Sequence, residues 1–560
     1  MSIFNEAQKV KVKRNGFDLS HDKKLSCKIG QIIPVQCHEV LPGDSWSLNT
    51  SIMARFAPLI AVPMHNVYFT VEHFFVPNRL LWNGWEDFIR GVQPRAVNLP
   101  TEQAMEQQDV LPPNWGSNNW TNRTHPFFDV NISNVEMGTL LDYFGVPTKE
   151  DALNADGANV KVKINPLPLK AYDLIYDEYY RDMDISLARQ FTPLVDGENQ
   201  IPGGEANYLP HWRNYSKNYF TSARPWPQAG PEAMLPVSDG TVIWRGRPSG
   251  EQNWPKWRDT KDGQNAGSGA VSGEGNSISV GSTTQAGYDP VGTLWVDNSN
   301  SSITNLRRAL ALQTFLERSA RFGNRYTEHV YGMFGVTSSD ARLQRPEMIG
   351  ATKAPIKFSE VLNHTGSTAT DALPQGNMAG HGIGYGGQKK PASYFAEEHG
   401  WILSMMTIKV NDGYQQGIPK HMLKQDPFDY ALPAFAHIGE QPIQNQEVCF
   451  DGSMTPEQQQ ATWGYTPRYA EYKHCLSTSH GEFRKNTGVG SLSPWHMNRI
   501  FTSFPALTDQ FLQIGTQGQI NRIFALNPDD ANVPAPVWVM VANQTRAKRK
   551  LPFFGNPKIQ

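Results

Sequence analysis

Cysteine and long apolar runs are both scarce in this sequence of 560 residues. The four cysteines are Cys27, Cys37, Cys449 and Cys475, and none belongs to a C-x-x-C pair. This argues against a zinc ribbon, a thioredoxin-type motif or a disulfide framework. No stretch approaches the roughly 18 apolar residues that a membrane span requires. Residues 1–16 are polar and basic, so we expect no signal peptide, no membrane insertion and synthesis in a reducing cytoplasm.

A strong net charge is missing as well. Lys and Arg number 51 against 53 Asp and Glu, which gives a net charge of -2 and argues against a protein whose whole surface binds nucleic acid. Glycine (47) and proline (40) are plentiful, and this favours a β-rich architecture with many turns over a helical bundle. The chain is longer than one hydrophobic core usually supports, so it contains either several domains or one domain with large insertions.

The common catalytic motifs are absent too. The sequence has no P-loop, no G-x-S-x-G elbow and no H-E-x-x-H pair, each of which would indicate a particular chemistry. Residues 382–387 (GIGYGG) satisfy G-x-G-x-x-G, but Lys389, Lys390 and Pro391 follow where a dinucleotide-binding fold needs a helix. We interpret this segment as a flexible loop, and we predict no catalytic residues.

Segments with the pattern of β-strands lie mainly near the two ends of the sequence. They are rich in β-branched and aromatic residues, with alternation that is typical of strands. These segments are residues 31–40, 46–56, 67–76, 401–410, 519–526 and 536–544. The simplest arrangement pairs the first and last strands in one β-sandwich, as in a jelly roll, and makes the segments between them insertions.

This pattern divides the chain into parts. We expect residues 1–90 and 400–560 to supply the strands of the core, and residues 91–227 to form a loop-rich insertion. Residues 228–302 are Gly/Ser-rich and are expected to form a surface insertion. Residues 303–399 are expected to form an insertion of helix and loops. Its helix begins after Ser302, a candidate N-cap, and ends near Gly323.

An acidic cluster is interleaved with tyrosines in the second part of the chain. The carboxylates are Asp173, Asp177, Glu178, Asp182 and Asp184, and the tyrosines are Tyr172, Tyr176, Tyr179 and Tyr180. Such a cluster can form a carboxylate pair for glycoside hydrolysis or a calcium site. If the cluster forms the carboxylate pair, the protein would be a carbohydrate-active β-sandwich enzyme, and this is an alternative to be weighed. We favour a solvated helix face with tyrosines at its margin, so no cofactor is expected and any bound metal stays unknown.

Two short basic segments stand near the ends of the sequence. They consist of Lys9, Lys11, Lys13 and Arg14, and of Arg546, Lys548, Arg549 and Lys550. Local positive charge of this kind can contact phosphate without sequence preference. Phe17, Phe553 and Phe554 can stack on unpaired bases. The alternative is that these segments are ordinary soluble tails, or contacts with a neighbouring subunit.

A series of phrases resembles the major capsid proteins of the microviruses, most closely those of the gokushovirus-like branch. The phrases are FDLSH (17–21), EVLPGD (39–44), FFVPNRLLW (74–82), YFTSARPWPQ (219–228), LER (316–318), RYTE (325–328), FGVTS (334–338), DARLQRPE (340–347), PQGN (374–377), EHG (398–400), YQQG (414–417) and FAHIGEQ (435–441). Their order and content match over about residues 17–441, which is far more specific than one short motif.

The resemblance implies a structural protein, not an enzyme. It implies an eight-stranded antiparallel jelly-roll β-sandwich and a T=1 icosahedral homo-oligomer that encloses a circular single-stranded DNA genome. The implied partners are a scaffolding protein, a small basic DNA-binding protein, a DNA pilot protein and a host surface receptor. The implied location is the virion, assembled in the bacterial cytoplasm. Residues 228–302 coincide with a variable surface insertion of that family, so a receptor-binding module is a further alternative.

Subunit contacts in such a shell would use side chains that often carry interface energy. Arg318, Arg325, Arg342 and Arg345 lie within or beside the matching phrases. Arginine pairs well with carboxylates. These four residues are therefore candidates for contacts with neighbouring subunits, or for bracing within the chain.

Overall fold

The computed structural model describes residues 13–90, 123–153, 161–186, 189–231, 233, 303–362, 378–388, 390–515, 520–528, 530 and 533–554, with the backbone of six short strands between residues 242 and 296. Two compact units are present, one formed by Gln228–Phe322 and the other by the chain on either side. Within the described ranges, no helix combines the length and the apolar character needed to cross a bilayer.

Strands outnumber helices in the described chain. The strands are β1 (Asn15–Asp18), β2 (His21–Cys27), β3 (Ile32–Val40), β4 (Ser45–Phe56), β5 (Val67–Pro77), β6 (Phe127–Asn131), β7 (Lys161–Ile164), β8 (Glu198–Asn199), β9 (Val242–Trp244), β10 (Lys256–Asp259), β11 (Val271–Glu274), β12 (Ser277–Val280), β13 (Ala286–Asp289), β14 (Leu294–Val296), β15 (Glu347–Leu362), β16 (Met378–Gly387), β17 (Ala392–Phe395), β18 (Gly400–Val410), β19 (Glu440–Gln444), β20 (Thr462–Pro467) and β21 (Val537–Arg549).

The helices are mostly short. They are α1 (Asn78–Leu81), α2 (Trp85–Arg90), α3 (Leu140–Tyr143), α4 (Leu167–Ile175), α5 (Ile303–Phe322), α6 (Tyr326–Phe334), α7 (Asn445–Val448), α8 (Pro456–Gln460) and α9 (Asp509–Leu512). A π-helical turn, Tyr176–Tyr180, continues α4. Turns of 3-10 helix occur at Ile132–Asn134, Glu205–Asn207, Lys420–Met422, Pro427–Asp429, Pro433–Phe435, Ala470–Tyr472, Gly481–Arg484, Ser493–Trp495 and Asn521–Ile523.

One large antiparallel sheet dominates the first and last parts of the chain. Its order is β1-β21-β4-β16-β15-β5-β18-β3, with β2 also paired to β21 and β17 to β4. The register between β21 and β4 runs from Val537 opposite Phe56 to Lys548 opposite Ser45, so a late strand pairs with an early one. The prediction of a mainly β fold of antiparallel jelly-roll type is therefore confirmed, although ten strands, and not eight, join this sheet.

The principal core lies against one face of this sheet. Ile52, Ala54 and Phe56 of β4 and Val539 and Val541 of β21 are each at most 3% exposed and belong to one apolar cluster. Alternate residues of these strands point to the opposite face and are half-buried or exposed. Because successive side chains of a strand point to opposite faces, a strict alternation of this kind identifies the core side from the sequence.

Strand β16 presents glycine to the core at every second position. A Cβ atom placed on Gly386 would lie 2.4 Å from the Cβ of Ala354, and one on Gly382 would lie 2.9 Å from the ring of Phe56. The missing side chains leave room for Phe56 and for residues of the neighbouring strand β15. The interpretation of residues 382–387 as a flexible loop is therefore wrong, because glycine is required here by close packing within a strand.

Strands β15, β16 and β17 all lie in residues 303–399, which were expected to form an insertion of helix and loops. Exposed Lys353 and Lys357 alternate in β15 with the buried Ala354 and Ile356. The small and charged residues hide the apolar alternation that marks a strand. The central part of the sheet therefore comes from a segment that was expected to lie outside the core.

Part of the sheet is covered on its second face as well. Phe74 of β5 and Leu403 and Met405 of β18 pack in a cluster with Leu169 and Tyr172 of α4. Because α4 covers them, both faces of β5 and β18 are buried. Residues 91–227 were expected to be loop-rich, yet their described part supplies this packed helical layer.

Another expected strand, at residues 519–526, takes a different form. Its described part contains the 3-10 turn Asn521–Ile523 and one isolated bridge at Phe524. Ile520, Ile523 and Phe524 are buried in the principal core. Apolar residues at positions 520, 523 and 524 suit a helical turn better than period-two alternation, which explains why the strand prediction was wrong.

The unit Gln228–Phe322 has its own elements. Strands β9 to β14 form three antiparallel pairs, β9 with β14, β10 with β13 and β11 with β12, in the segment that was expected to form a surface insertion. Helix α5 follows and ends at Phe322, next to Gly323 with a φ of 96°. Glycine tolerates positive φ and commonly ends helices, so the predicted helix and its end are confirmed, while the candidate N-cap Ser302 lies outside the described residues.

Candidate functional site

The two basic segments are brought together by strand pairing. In the antiparallel pair of β1 and β21, Asn15 lies opposite Arg549 and Asp18 lies opposite Arg546. This register places Lys13 and Arg14, which precede β1, beside Lys550, which follows β21. Lys9 and Lys11 lie outside the described residues. The sequence showed two separate basic segments, and only the register between distant strands makes them one surface.

Arg549 has a structural role within this surface. Its Nε atom lies 3.0 Å from Oδ2 of Asp44, whose side chain is fully buried, and its guanidinium lies 4.8 Å from the ring centroid of Trp46. Burial raises the pKa of Asp44, while the Leu41 amide and the charges of Arg549 and Arg14 lower it, with a net increase. The guanidinium of Arg549 is therefore largely occupied by Asp44 and Trp46 of its own chain.

The other basic side chains remain accessible. Arg546 and Lys548 project from the solvent face of β21, and Lys550 is exposed. The guanidinium of Arg14 lies 5.3 Å from the ring centroid of Phe395, and Phe17 stacks on Phe553 at 6.1 Å. Phe554 is 73% exposed. These positions allow the cations to contact an anion without breaking an internal ion pair.

The four candidate interface arginines differ in their surroundings. Arg325 donates to Glu328 Oε1 at 3.2 Å and to the carbonyl of Asp177 at 3.4 Å. Arg345 contacts Asp340 at 3.2 Å and lies 4.3 Å above the ring of Tyr179. These two residues brace their own chain.

Arg318 and Arg342 are instead exposed. Arg318 lies on α5, and Arg342 lies in the turn between α6 and β15. Of the four arginines, these two are best placed for contact with another molecule.

Asp173 and Asp177 of the acidic cluster are buried and hydrogen-bonded, and Glu178, Asp182 and Asp184 are half-buried, which corrects the expected solvated helix face. Asp177 is 0% exposed and accepts from Arg181 Nε at 3.0 Å and from the amides of Gln190 and Phe191 at 3.1 and 2.8 Å. The neighbouring Glu178 is only half-buried. The lone pairs of the Asp177 carboxylate are therefore occupied by donors of the same chain.

Asp173 is satisfied in a similar way. Its carboxylate accepts from the hydroxyl of Tyr208 at 2.9 Å and lies 3.3 Å from His211 Nε2 and 3.5 Å from Lys170 Nζ. His211 is stacked between Tyr172 and Tyr176. This geometry does not present a carboxylate pair to a substrate. In the described part of the chain, no group of three or more His, Cys, Asp and Glu side chains is arranged to hold a metal ion.

A separate exposed surface was not expected from the sequence. Trp538 of β21 is 44% exposed and Tyr385 of β16 is 78% exposed, although both lie in regular strands of the large sheet. The alternation of β21 contained the signal, because Val537, Val539 and Val541 occupy the core face and leave Trp538 on the other. For Tyr385 the glycines of β16 concealed the alternation.

Comparisons with known proteins agree over nearly the whole chain. The family model described as "Capsid protein (F protein)" matches residues 5–559. Capsid protein VP1 of Chlamydia phage 1 is 31% identical, covering 100% of this chain and 97% of that protein. Capsid protein VP1 of Bdellovibrio phage phiMH2K is also 31% identical, covering 96% and 94%. Capsid protein VP1 of Spiroplasma virus 4 is 26% identical, covering 98% and 96%.

These relatives are structural proteins of microviruses, and their similarity extends well beyond the phrases that suggested the resemblance. The predicted role as a structural capsid protein, and not an enzyme, is thereby confirmed. The chain belongs to the capsid protein (F protein) family of the microviruses.

Proposed function

We propose that this chain self-assembles into a T=1 icosahedral shell around a circular single-stranded DNA genome, in the cytoplasm of a bacterial host. The observation that carries the proposal is the family match over residues 5–559, together with full-length relatives named as capsid proteins. A closed shell multiplies modest contacts by symmetry, and the exposed aromatic and arginine side chains of this chain suit such contacts.

Electron microscopy of negatively stained particles tests this proposal. Material from infected cells should contain small round shells, and nuclease treatment of those particles should leave protected single-stranded DNA. Particles with protected double-stranded DNA, or chains that stay dispersed with their partners present, would contradict it.

The proposed partners follow from the charge of the chain. A net charge of -2 cannot neutralise a packaged genome, which carries one negative charge for each nucleotide. A small basic DNA-binding protein would supply the missing cations. A scaffolding protein, a DNA pilot protein and a host surface receptor complete the proposed set. Protein analysis of purified particles should therefore reveal a small basic component.

The accessible basic residues are proposed to contact the genome. Lys13, Arg14, Arg546, Lys548 and Lys550 lie close together through the pairing of β1 with β21. Lys9 and Lys11 precede them in the sequence and are included in the proposal, and Arg549 contributes mainly by holding Asp44. The contacts should be independent of sequence, because phosphate groups are the partners.

Replacing Arg546 and Lys548 with Ala tests this contact. Filled particles should lose DNA at lower salt than the parent, since each removed phosphate contact weakens the salt-dependent term. Arg484→Ala, an exposed cation elsewhere, serves as the control. Equal DNA content and equal salt resistance in both variants would remove the proposed role.

Subunit contacts are proposed for the exposed Arg318 and Arg342. An arginine that reaches a carboxylate of a neighbour can form two charge-assisted hydrogen bonds. Arg318→Gln and Arg342→Gln should slow shell formation while leaving thermal unfolding of the dispersed chain unchanged. Normal assembly kinetics would exclude these residues from the contacts.

Host contact is a second proposed role, for residues 228–302. The observation in its favour is that Gln228–Phe322 forms a compact unit of its own. Deleting residues 234–300 should abolish adsorption to host cells while shells still form. Failure of assembly after the deletion would show that the segment is needed for the shell itself.

A further inference from the structure

One half of the large sheet has a solvent face that is open, which we call the open face. It is formed by β2, β21, β4, β16 and β15. Its exposed side chains include Lys24, Arg55, Lys353, Lys357, Ile383, Tyr385, Trp538, Arg546 and Lys548. On the opposite side of the same strands, residues such as Val541 and Phe56 are at most 1% exposed.

The strand register sets these side chains in rows across the sheet. Trp538 lies opposite Arg55, Arg55 opposite Ile383, and Ile383 opposite Lys357. Because adjacent strands are about 4.8 Å apart, this row of four side chains spans roughly 14 Å. An aromatic ring, a guanidinium, an aliphatic side chain and an ammonium group thus form one continuous strip.

A second row runs beside the first. Lys24 lies opposite Met540, Met540 opposite Met53, and Met53 opposite Tyr385. Side chains two residues apart on a strand share a face and lie about 6.6 Å apart. The rings of Trp538 and Tyr385 therefore belong to one surface, with a cation at one end of each row.

The rings on this face are more exposed than the fold requires. Tyr385 is 78% exposed, whereas aromatic residues usually bury most of their surface, and Trp538 leaves 44% of its surface exposed. Neither ring belongs to a described apolar cluster. The packing of the apolar clusters therefore does not explain the presence of these two rings.

The charges on this face favour an anionic ligand. Six cations project from it, Lys24, Arg55, Lys353, Lys357, Arg546 and Lys548, against two carboxylates near the edge, Asp18 and Asp22. Within the described ranges, Lys24, Arg55 and Lys357 form no ion pair with any carboxylate. Each can therefore contact a phosphate without giving up an internal partner.

We infer that the open face binds single-stranded nucleic acid, with bases stacked on Trp538 and Tyr385 and phosphates beside Arg55, Lys24 and Lys357. This inference rests on the proposed enclosure of a single-stranded genome and assigns a site to it. Exposed rings among unpaired cations are the combination that binds single strands regardless of sequence. A second copy of this nearly neutral chain would need to supply several carboxylates, whereas a nucleic acid strand supplies a phosphate with every base.

The test measures binding of a fluorescent 30-nucleotide oligothymidylate to the purified, dispersed chain. In the variant W538A/Y385A the dissociation constant should rise at least tenfold, since each lost stack weakens binding. In the variant K24Q/R55Q/K357Q the slope of log affinity against log salt should fall by about 2, because each phosphate contact on a single strand contributes about 0.7. The variants should fold, as all five side chains are exposed.

Matched controls come from exposed residues elsewhere. Phe428→Ala with Tyr430→Ala removes two rings that are 63% and 55% exposed, and their loss should leave affinity unchanged. Lys161→Gln, Lys473→Gln and Arg484→Gln remove three exposed cations and should leave the salt slope unchanged. Equal losses in the control and test variants would overturn the inference.

A second measurement separates the two alternatives for this face. If W538A/Y385A binds the oligonucleotide normally but fails to form shells, the face contacts another protein copy and the inference is wrong. If the unmodified chain never forms shells, the proposed function fails, while oligonucleotide binding still decides the role of the open face.

Discussion

The two halves of the large sheet are built from similar strands but have different surroundings. Over β5 and β18, the described helical layer with α4 covers the second face, so both faces are buried. Over β21, β4 and β16 the second face is open, and it carries Trp538 and Tyr385. We call these the covered half and the open half. In the covered half, substitutions should change stability, whereas in the open half they should change binding.

The largest effect is expected where the covered half contains a buried charge network. Asp177→Ala would leave Arg181 buried without its carboxylate partner, at a cost of about 3–5 kcal/mol in the free energy of unfolding. Urea unfolding of the dispersed chain measures this. Glu178→Ala, at the half-buried neighbouring position, should cost less than about 1 kcal/mol. Similar losses in both variants would refute the assigned role of Asp177.

A smaller effect is expected at the glycine-lined strand β16. Gly386→Ala places a Cβ within 2.4 Å of Ala354 and should lower the unfolding free energy by about 1–3 kcal/mol through overpacking. Gly16→Ala is the control, because a Cβ there meets nothing within 4 Å. If thermal unfolding shows equal midpoints for the two variants, the strand packs less tightly than described.

Acid should lower the stability of the covered half by protonating His73. This ring is 0% exposed, its Nδ1 lies 2.7 Å from the Ser404 hydroxyl, and burial lowers its pKa to about 4. The neutral form is favoured in the folded state, so stability is full above the unfolded pKa near 6.5 and decreases as the pH falls toward 4. Within this window, each unit of decrease in pH should lower the free energy of unfolding by up to about 1.4 kcal/mol.

Unfolding midpoints measured between pH 7 and pH 5 test this prediction. His73→Gln should reduce the dependence, because glutamine does not titrate, and the remainder should come from other partly buried imidazoles such as His38, whose pKa burial also lowers to about 4. A His73→Gln variant that is still as sensitive to acid as the parent would locate the effect elsewhere.

The smallest effect on stability is expected in the open half. Tyr385→Ala should change the unfolding free energy by less than about 0.5 kcal/mol, as is usual for exposed positions. Trp538→Ala should cost about 1 kcal/mol, because its ring is 44% exposed and the buried remainder contributes to stability. The same urea titration used for Asp177→Ala provides the measurement. A loss of several kcal/mol would mean that the rings support the fold, and the contrast between the two halves would no longer hold.

The sequence predicted those parts of the fold in which local pattern and final environment agree. The alternation of β4 and β21 identified both segments as strands, and Gly323 marked the end of α5. It failed for β16, where glycine serves packing across strands, and for Asp177, whose burial depends on donors at residues 181, 190 and 191. These are tertiary facts that no local window contains.

The candidate sites show the same division. Composition identified the basic residues near both ends of the chain, but their convergence depends on the register of β1 against β21. The open face depends on four strand pairings between distant segments. Side-chain chemistry is visible in a sequence, whereas the grouping of side chains from separate strands is fixed by topology.

The pairing of β4 with β21 also has a consequence for biosynthesis. The ribosome completes β21 roughly 500 residues after β4, so during nearly all of translation one edge of β4 has no partner. Unpaired strand edges promote aggregation, and pairings so distant in sequence form slowly. The nascent chain therefore exposes an unpaired, aggregation-prone strand edge until late in its synthesis. Demand for chaperones should be greatest at that stage, and premature termination before residue 537 should yield insoluble fragments.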